Sequence, residues 1–494
     1  MGPHSPCPGF SSLCVGSGTC TKSSSPHANS VKQPGATGQM IALTACRQVS
    51  RCWQGWLSRV GLAWQPLQIP GVPTSRSLAS TATSIRFSPA TRSLFDEPLG
   101  IAVQGLSPRQ QVTLRASLRD EAGELFEAHA RYQAAEDGEL DVARCPALPG
   151  GSFSGLEPMG LLWALQPRKA FWRLVKKDVQ TPFLLRLEVL EGHGDDSGRL
   201  LAQAQHERAF LRDGVRRVPV RDGRIRATLF LPPGQAPFPG VITIDGLGGG
   251  LCEHRASLLA NHGFATLALA YYQYEDLVQK PTKLHLEYFE EALNYMLQHT
   301  QVKGPGIGLL GYSKGGDLSL AMAAFLKNIT AVASINGPVA ITAFPLCYKD
   351  KTIPALIYKE NLTKVYDNNI LDYSDVLDDP FKAPGNQSLI PIENAEAHLL
   401  LIAGQDDHII HSKYYVTEAS KYLQAQGKEN VQTLIYPGVG HCIDPPFSPF
   451  YPIGKHPVFH KRAVLGGELT AYSKAQVHAW LQIRAFFHKH LNDK

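Results

Sequence analysis

The sequence predicts a chain of the α/β class, a mainly parallel sheet with helices on both faces, preceded by a small antiparallel β-sandwich. Three observations lead there. Residues 82–207 alternate apolar and polar side chains with period two. From residue 208 onward, apolar runs of strand length alternate with runs of helical spacing. Residues 1–81 fit neither pattern, because they are rich in Ser, Gly and Pro and then basic.

The period-two stretch is clearest where Val112, Leu114, Ala116 and Leu118 alternate with polar residues, a turn follows at Asp120 to Gly123, and Phe126, Ala128, Ala130 and Tyr132 alternate again. Successive strand side chains point to opposite faces, so this is a hairpin with one face buried. Leu185, Leu187 and Val189 repeat the signature, giving a sandwich over 82–207 that is too short for a β-propeller. In 208–494, Arg221 to Arg224 reads as a hairpin turn between Val218–Val220 and Ile225–Leu231. Strands are then expected at Gly240–Ile244, Phe264–Tyr271, Ile307–Leu310, Ala331–Ile335, Leu399–Ala403 and Thr433–Tyr436. Between two of them Leu286, Phe289, Leu293, Met296 and Leu297 are spaced for one buried helical face. Strands that alternate with helices build a parallel sheet whose working residues collect on loops at the carboxyl ends of the strands.

Charge is uneven. The first 95 residues hold no Asp or Glu but eight Lys or Arg; without those eight, 40 basic residues face 43 acidic ones. The body therefore offers no electrostatic footprint for nucleic acid. No apolar run reaches the roughly 18 residues that cross a bilayer, so no membrane span is expected. From Met40 the leader mixes Arg with Leu, Trp and Val, the composition of a mitochondrial transit peptide; a disordered leader without an address is the alternative. The expected location is the mitochondrial matrix, or the cytosol if the leader is absent. Of nine cysteines, five lie in the leader and Cys145, Cys252, Cys347 and Cys442 are scattered without C-x-x-C spacing, so neither a disulfide framework nor zinc is expected.

The chemistry concentrates after three strands. Gly311-Tyr312-Ser313-Lys314-Gly315 follows Ile307–Leu310 and opens a helical run from about Gly316. This is the G-x-S-x-G elbow in its strand, turn, helix context, where a sharp reversal exposes a serine hydroxyl. A serine needs a base, and the base needs an acid to orient it. Leu399 to Gly404 runs into Asp406, Asp407 and His408, and Thr433–Tyr436 runs through Gly438 and Gly440 into His441. The chain order Ser, Asp, His is that of α/β-hydrolases, so the expected triad is Ser313, Asp407 and His441. Asp407 is chosen over Asp406 because it lies further past the strand end. His441 is chosen over His408 and His411, whose H-x-x-H spacing lacks further ligands for a metal. The oxyanion donors are expected from the backbone N–H of Lys314 and, in the glycine-rich loop Asp245–Gly250, of Leu247. That loop lacks the endings of a phosphate-binding P-loop or a dinucleotide site.

At these residues the chain resembles the type I acyl-CoA thioesterases and their relative, bile acid-CoA:amino acid N-acyltransferase. The resemblance runs from about Ser84 to the C-terminus through FDEPLGIAVQGL, VTLRASLRDEAGELFEAHARY, GGSFSGLEPMGLLWAL, FLPPGQAPFPGVI, LHLEYFEEALNYML, GLLGYSKGGDLSL, GQDDH and YPGVGH. It implies a β-sandwich in front of an α/β-hydrolase, a long-chain acyl-CoA as substrate, no cofactor, and the triad on Ser313, Asp407 and His441. It gives GGSFSGLEPMG as a family loop of the sandwich without assigning it a role. The amidating relative carries cysteine at the elbow, whereas this chain has Ser313, which favours hydrolysis over transfer to glycine or taurine. An acyl-CoA-binding protein without catalysis and a general carboxylesterase are the other readings, and a monomer is the expected state.

Overall fold

The computed structural model describes residues 82–194 and 198–492; the basic leader, and with it the expected transit peptide, lies outside them. The alternation in the first part builds two sheets. Gln111–Arg119 and Leu125–Gln133 pair antiparallel as the expected hairpin, with Val112 opposite Tyr132 and Leu118 opposite Phe126. Asp120 closes its turn by accepting the Gly123 N–H on its backbone carbonyl and the Ala122 and Glu124 N–H groups on its carboxylate. Phe183–Glu191 and Leu200–Ala209 extend this into a six-stranded sheet, faced by a three-stranded sheet of Ser84–Ser88, Gly100–Gln104 and Leu140–Asp141. The pairing is antiparallel except at one edge, where Arg92–Leu94 lies parallel to Glu207–Ala209.

The second part is built on an eight-stranded sheet. Its strands, numbered here in chain order, are β1 (Arg216–Val220), β2 (Arg226–Leu231), β3 (Phe238–Ile244), β4 (Ala265–Ala270), β5 (Val302–Tyr312), β6 (Ile329–Ile335), β7 (His398–Gly404) and β8 (Val431–Tyr436). The spatial order is β1-β2-β4-β3-β5-β6-β7-β8. The β1-β2 hairpin and the β2-β4 pair are antiparallel, and every later pair is parallel. This is the α/β-hydrolase sheet, and each apolar run read from the sequence is one of its strands. Five helices accompany it: α1 (His254–Ala260), α2 (Leu286–Gln298), α3 (Lys314–Phe325), α4 (Ser412–Ala425) and α5 (Leu469–Asn492).

The two faces of the sheet bury different cores, because successive side chains point opposite ways. Ile242, Leu309, Leu399 and Leu401 pack with Phe289, Leu293 and Met296 of α2, Leu320 of α3 and Tyr415 of α4. Val241, Leu310, Leu400 and Ile402 pack with Leu258 of α1 and Trp480, Ile483 and Phe487 of α5. That second core continues without a break into the sandwich through Leu161, Trp163, Leu114 and Tyr132. The loop GGSFSGLEPMG serves this junction. Phe153 packs against Trp163 with ring centres 5.3 Å apart and the planes tilted by 51°, and Glu157 pairs with Lys474 of α5 at 3.5 Å. Among the described residues no helix is long and apolar enough to cross a membrane.

Candidate active site

Ser313 occupies the single position between β5 and α3, with φ 53° and ψ −121°. A residue other than glycine at positive φ is strained, and such positions persist only where their surroundings enforce them. Here the enforcement is close packing. A Cβ on Gly311 would collide with the Gly315 carbonyl, and one on Gly315 would collide with the Ile244 carbonyl at the end of β3. The two glycines that fence the serine are therefore needed for backbone approach, which lets α3 start directly at the strand end. The Gly316 N–H donates to the Ser313 carbonyl at 2.8 Å, so the helix begins at Lys314, two residues before the sequence signal.

The three residues expected as nucleophile, base and acid meet. His441 Nε2 lies 2.9 Å from Ser313 Oγ, and its Nδ1 lies 2.8 Å from Asp407 Oδ2. Ser313 is half-buried, whereas Asp407 and His441 are buried. Asp407 is held on both oxygens. Oδ1 accepts the Ile409 and Ile410 N–H groups at 2.9 and 3.2 Å, and Oδ2 accepts the Ser412 hydroxyl as well as facing the imidazole. Four donors around one carboxylate fix its plane. With Nδ1 facing a carboxylate, the imidazole carries its proton there and turns a lone pair to Ser313.

Asp406, one residue earlier, points elsewhere. Its Oδ2 accepts the Gly467 N–H at 2.7 Å and its Oδ1 lies 3.3 Å from His408 Nε2, so it ties loops together. His408 turns its other nitrogen to Asp372 at 2.8 Å, and His411 pairs with Asp375 at 2.9 Å. Neither histidine joins the serine. Among the described residues no group of three or more His, Cys, Asp or Glu side chains could hold a metal ion.

The residues expected as oxyanion donors lie on the two segments next to Ser313. Lys314 opens α3 immediately after the serine, and the loop carrying Leu247 leaves the end of β3. Gly246 of that loop packs on the nucleophile, since a Cβ there would lie 3.1 Å from Ser313 Cβ. Leu247 is half-buried, and its carbonyl is engaged by the Tyr272 hydroxyl. The Lys314 side chain does not reach solvent. Its ammonium pairs with Asp317 at 3.0 Å with both side chains fully buried, and Asp317 also accepts the Thr342 N–H and hydroxyl at 3.0 and 2.7 Å. Burial pushes the Asp317 carboxyl up and the Lys314 ammonium down, against their mutual attraction.

Two supports escaped the sequence. Asn336, fully buried just past β6, accepts the Gly404 N–H at 2.7 Å and donates to the carbonyls of His441 at 2.6 Å and Gly440 at 3.2 Å. It thereby fixes the ends of β7 and of the histidine loop to one amide. The signal available was an asparagine directly after an apolar strand run, in Ile335-Asn336-Gly337. The second is an ionic cluster around Arg255 and Asp444, whose members are isolated charges in the sequence.

Comparison with known proteins bears on the whole assembly. A family model described as the N-terminal region of acyl-CoA thioester hydrolase/BAAT matches residues 96–222, and one described as the BAAT/acyl-CoA thioester hydrolase C terminal matches residues 284–493. The chain is 57% identical to acyl-coenzyme A thioesterase 5 of Mus musculus over 409 residues, covering 83% of this chain and 97% of that one. It is 52% identical to the mitochondrial acyl-coenzyme A thioesterase 2 of Homo sapiens over 474 residues, covering 94% and 96%. It is 56% identical to the peroxisomal succinyl-coenzyme A thioesterase of Mus musculus over 410 residues, covering 83% and 97%. With matches on both sides of the sheet junction and identity above half along nearly the full length of its relatives, the chain belongs to the acyl-CoA thioester hydrolase/BAAT family.

Proposed function

We propose that this protein hydrolyses acyl-CoA thioesters to free acid and coenzyme A through an acyl-enzyme on Ser313. The observation that carries the reading is the line of hydrogen bonds from Ser313 Oγ through the His441 imidazole to Asp407 at the carboxyl ends of β5, β7 and β8. His441 Nε2 takes the serine proton as Oγ attacks the thioester carbonyl. Asp407 holds the imidazole tautomer and stabilises the imidazolium that forms. The tetrahedral oxyanion is received by the backbone N–H groups of Lys314 and Leu247. General-base help contributes about 10² to 10⁴ in rate and each lost oxyanion donor costs about 10² to 10³. The thiolate of coenzyme A leaves readily, because a thiol has a pKa near ~8.5. The His441 imidazolium gives its proton to the departing sulfur, and the neutral imidazole then takes a proton from the water that attacks the oxygen ester and returns it to Ser313 Oγ as the acid leaves. In this reading 82–207 and 208–494 are a sandwich domain and a catalytic domain, with a long-chain acyl group as the substrate tail.

Thiol release from palmitoyl-CoA by the native protein and by Ser313→Ala tests the reading. The variant should lose on the order of 10⁴-fold or more. Equal rates remove Ser313 from the chemistry, and amide formation when glycine or taurine is added replaces hydrolysis by acyl transfer.

The same reading places the protein in mitochondria, and more finely in the matrix. The alignment with the human mitochondrial relative covers 94% of the chain and so extends into residues 1–81, whereas that with the mouse peroxisomal relative covers 83%. The acid-free, arginine-bearing leader agrees. A fluorescent protein fused behind residues 1–81 should enter mitochondria and be shortened there; cytosolic fluorescence at full length refutes the assignment.

A further inference from the structure

Arg255, on α1, is 5% exposed and touches the oxyanion loop, the histidine loop and the strand end that leads into the serine elbow. Its Nη1 faces Asp245 at 3.6 Å, the residue that opens the Leu247 loop. Its Nη2 reaches Asp444 at 3.0 Å and the Ile443 carbonyl at 3.3 Å, three and two residues past His441. The guanidinium lies 4.7 Å from the ring centre of Tyr312, the residue before Ser313, and that ring in turn lies 5.6 Å from the His441 ring. Asp444 is further gripped by Tyr451, by Tyr472 at 3.2 Å, and by Arg173 at 3.0 Å, which arrives from the sandwich segment before Phe183–Glu191.

We propose that Arg255 is a positioning residue for thioester hydrolysis, fastening the oxyanion loop, the serine elbow and the histidine loop to one rigid fork, with Arg173 bracing the shared carboxylate Asp444 from the sandwich.

The charges explain why this works as a joint. Arg173 and Arg255 supply two cations and Asp245 and Asp444 two anions, with Arg255 and Asp444 buried and Arg173 and Asp245 half-buried. Burial alone pushes the Asp444 carboxyl up, but the two guanidinium groups outweigh it and hold the carboxyl well below the usual range. His254, whose Nε2 lies 3.0 Å from Arg255 Nη1, is pushed down to about 4 by burial and by that cation, so it stays neutral. A balanced cluster around a buried pair has one low-energy arrangement, because moving either loop leaves a carboxylate without its cation. Arginine suits the task because two separated nitrogens can face two loops at once, which the single nitrogen of lysine cannot.

The inference rests on the proposed serine chemistry, so the test runs native protein and Ser313→Ala beside Arg255→Lys. Two readouts are taken: kcat and KM for palmitoyl-CoA thiol release, and the rate at which a fluorophosphonate labels Ser313. Folded Arg255→Lys should lose about 10- to 100-fold in kcat and a similar factor in labelling, with KM within about threefold, since small misplacement of reacting groups costs rate before binding. A kcat and a labelling rate within twofold of native overturn the proposal, as does a loss confined to KM. If Arg255→Lys does not fold, Arg173→Met decides, because Arg173 is the more exposed partner. It should lower kcat and labelling about fivefold at unchanged KM, and unchanged kcat overturns the proposal. If native protein leaves palmitoyl-CoA intact, the substrate reading fails, while the labelling rates still judge Arg255.

Discussion

The sandwich and the eight-stranded sheet bury their side chains in different ways. Along Leu125–Gln133, Phe126, Ala128, Ala130 and Tyr132 are buried and the residues between them are half-buried or exposed. Along β7, every residue from Leu399 to Gly404 is buried, because helices cover both faces. A strand with one wet face carries its register in its sequence, and its mutations should act on stability alone. A strand wet on neither face reads only as an apolar run, yet its carboxyl end is where a loop can hold a charged side chain against a rigid floor. Stability and rate should therefore separate along this division, although the two parts share one hydrophobic core.

The largest separation is expected at Asp407. Asp407→Asn removes the acceptor for the imidazole N–H and should lower kcat by about 10⁴-fold with little change in Tm. Asp406→Asn, which loosens the contact to the Gly467 N–H, should cost less than about tenfold. Steady-state thiol release and thermal melts on both variants check this pair, and equal losses in kcat would show that the choice of acid is wrong.

At the other pole stands Leu114, fully buried in the sandwich. Leu114→Ala should cost about 2–5 kcal/mol by lost transfer energy and the residual cavity. Turnover per active serine, counted by fluorophosphonate titration, should stay within about twofold. A large fall in turnover per titrated site would mean that the shared core transmits sandwich packing to the serine, and the comparison would break.

Gly315 sits between these poles. Gly315→Ala drives a methyl group at the Ile244 carbonyl, an overpacking worth about 1–3 kcal/mol. Because β3 also carries the proposed oxyanion loop, stability and kcat should fall together here. Denaturant unfolding and kinetics on one preparation test that coupling; a stability loss at native kcat would show that the elbow absorbs the strain without moving Ser313.

What could be read from the sequence follows the same physics. The hairpin 111–133 and all eight sheet strands were visible as periodicity or as apolar runs bounded by turns, and the elbow announced itself because two glycines had no steric alternative. His441 and Asp407 stood out because each lies a few residues past the end of an apolar strand run. Arg255 did not, since its partner Asp444 is 189 positions away and neither residue belongs to a repeating pattern. Asn336 likewise works through partners 68 and 105 positions distant. The parallel edge strand Arg92–Leu94, and the strands Lys364–Tyr366, Ile370–Asp372, Ile453–Lys455 and Arg462–Val464 of a small sheet, have three residues each, too short to show a period. Long-range charge and short edge strands are fixed by tertiary packing and leave no local trace.

The smallest effect is expected beside the site, where Asp372 and Asp406 flank His408. Burial alone would lower the pKa of His408, but hydrogen bonds and charge from Asp372, then Asp406, raise it above its ordinary value of 6.5. A raised histidine pKa stabilises the fold fully below the unfolded value of 6.5 and loses that contribution as pH rises through the folded value. Asp372, held down to about 2 against its burial by Ser374 and His408, contributes above pH ~4 and so keeps its charge throughout that window. Native protein should therefore exceed His408→Gln in Tm by roughly one to three degrees at pH 6, with the gap closing toward pH 9. A gap that is constant with pH would assign His408 to packing. Loss of kcat in the same variant at pH 6 would show that this edge of the sheet, unlike the sandwich, is mechanically joined to the Asp407 loop.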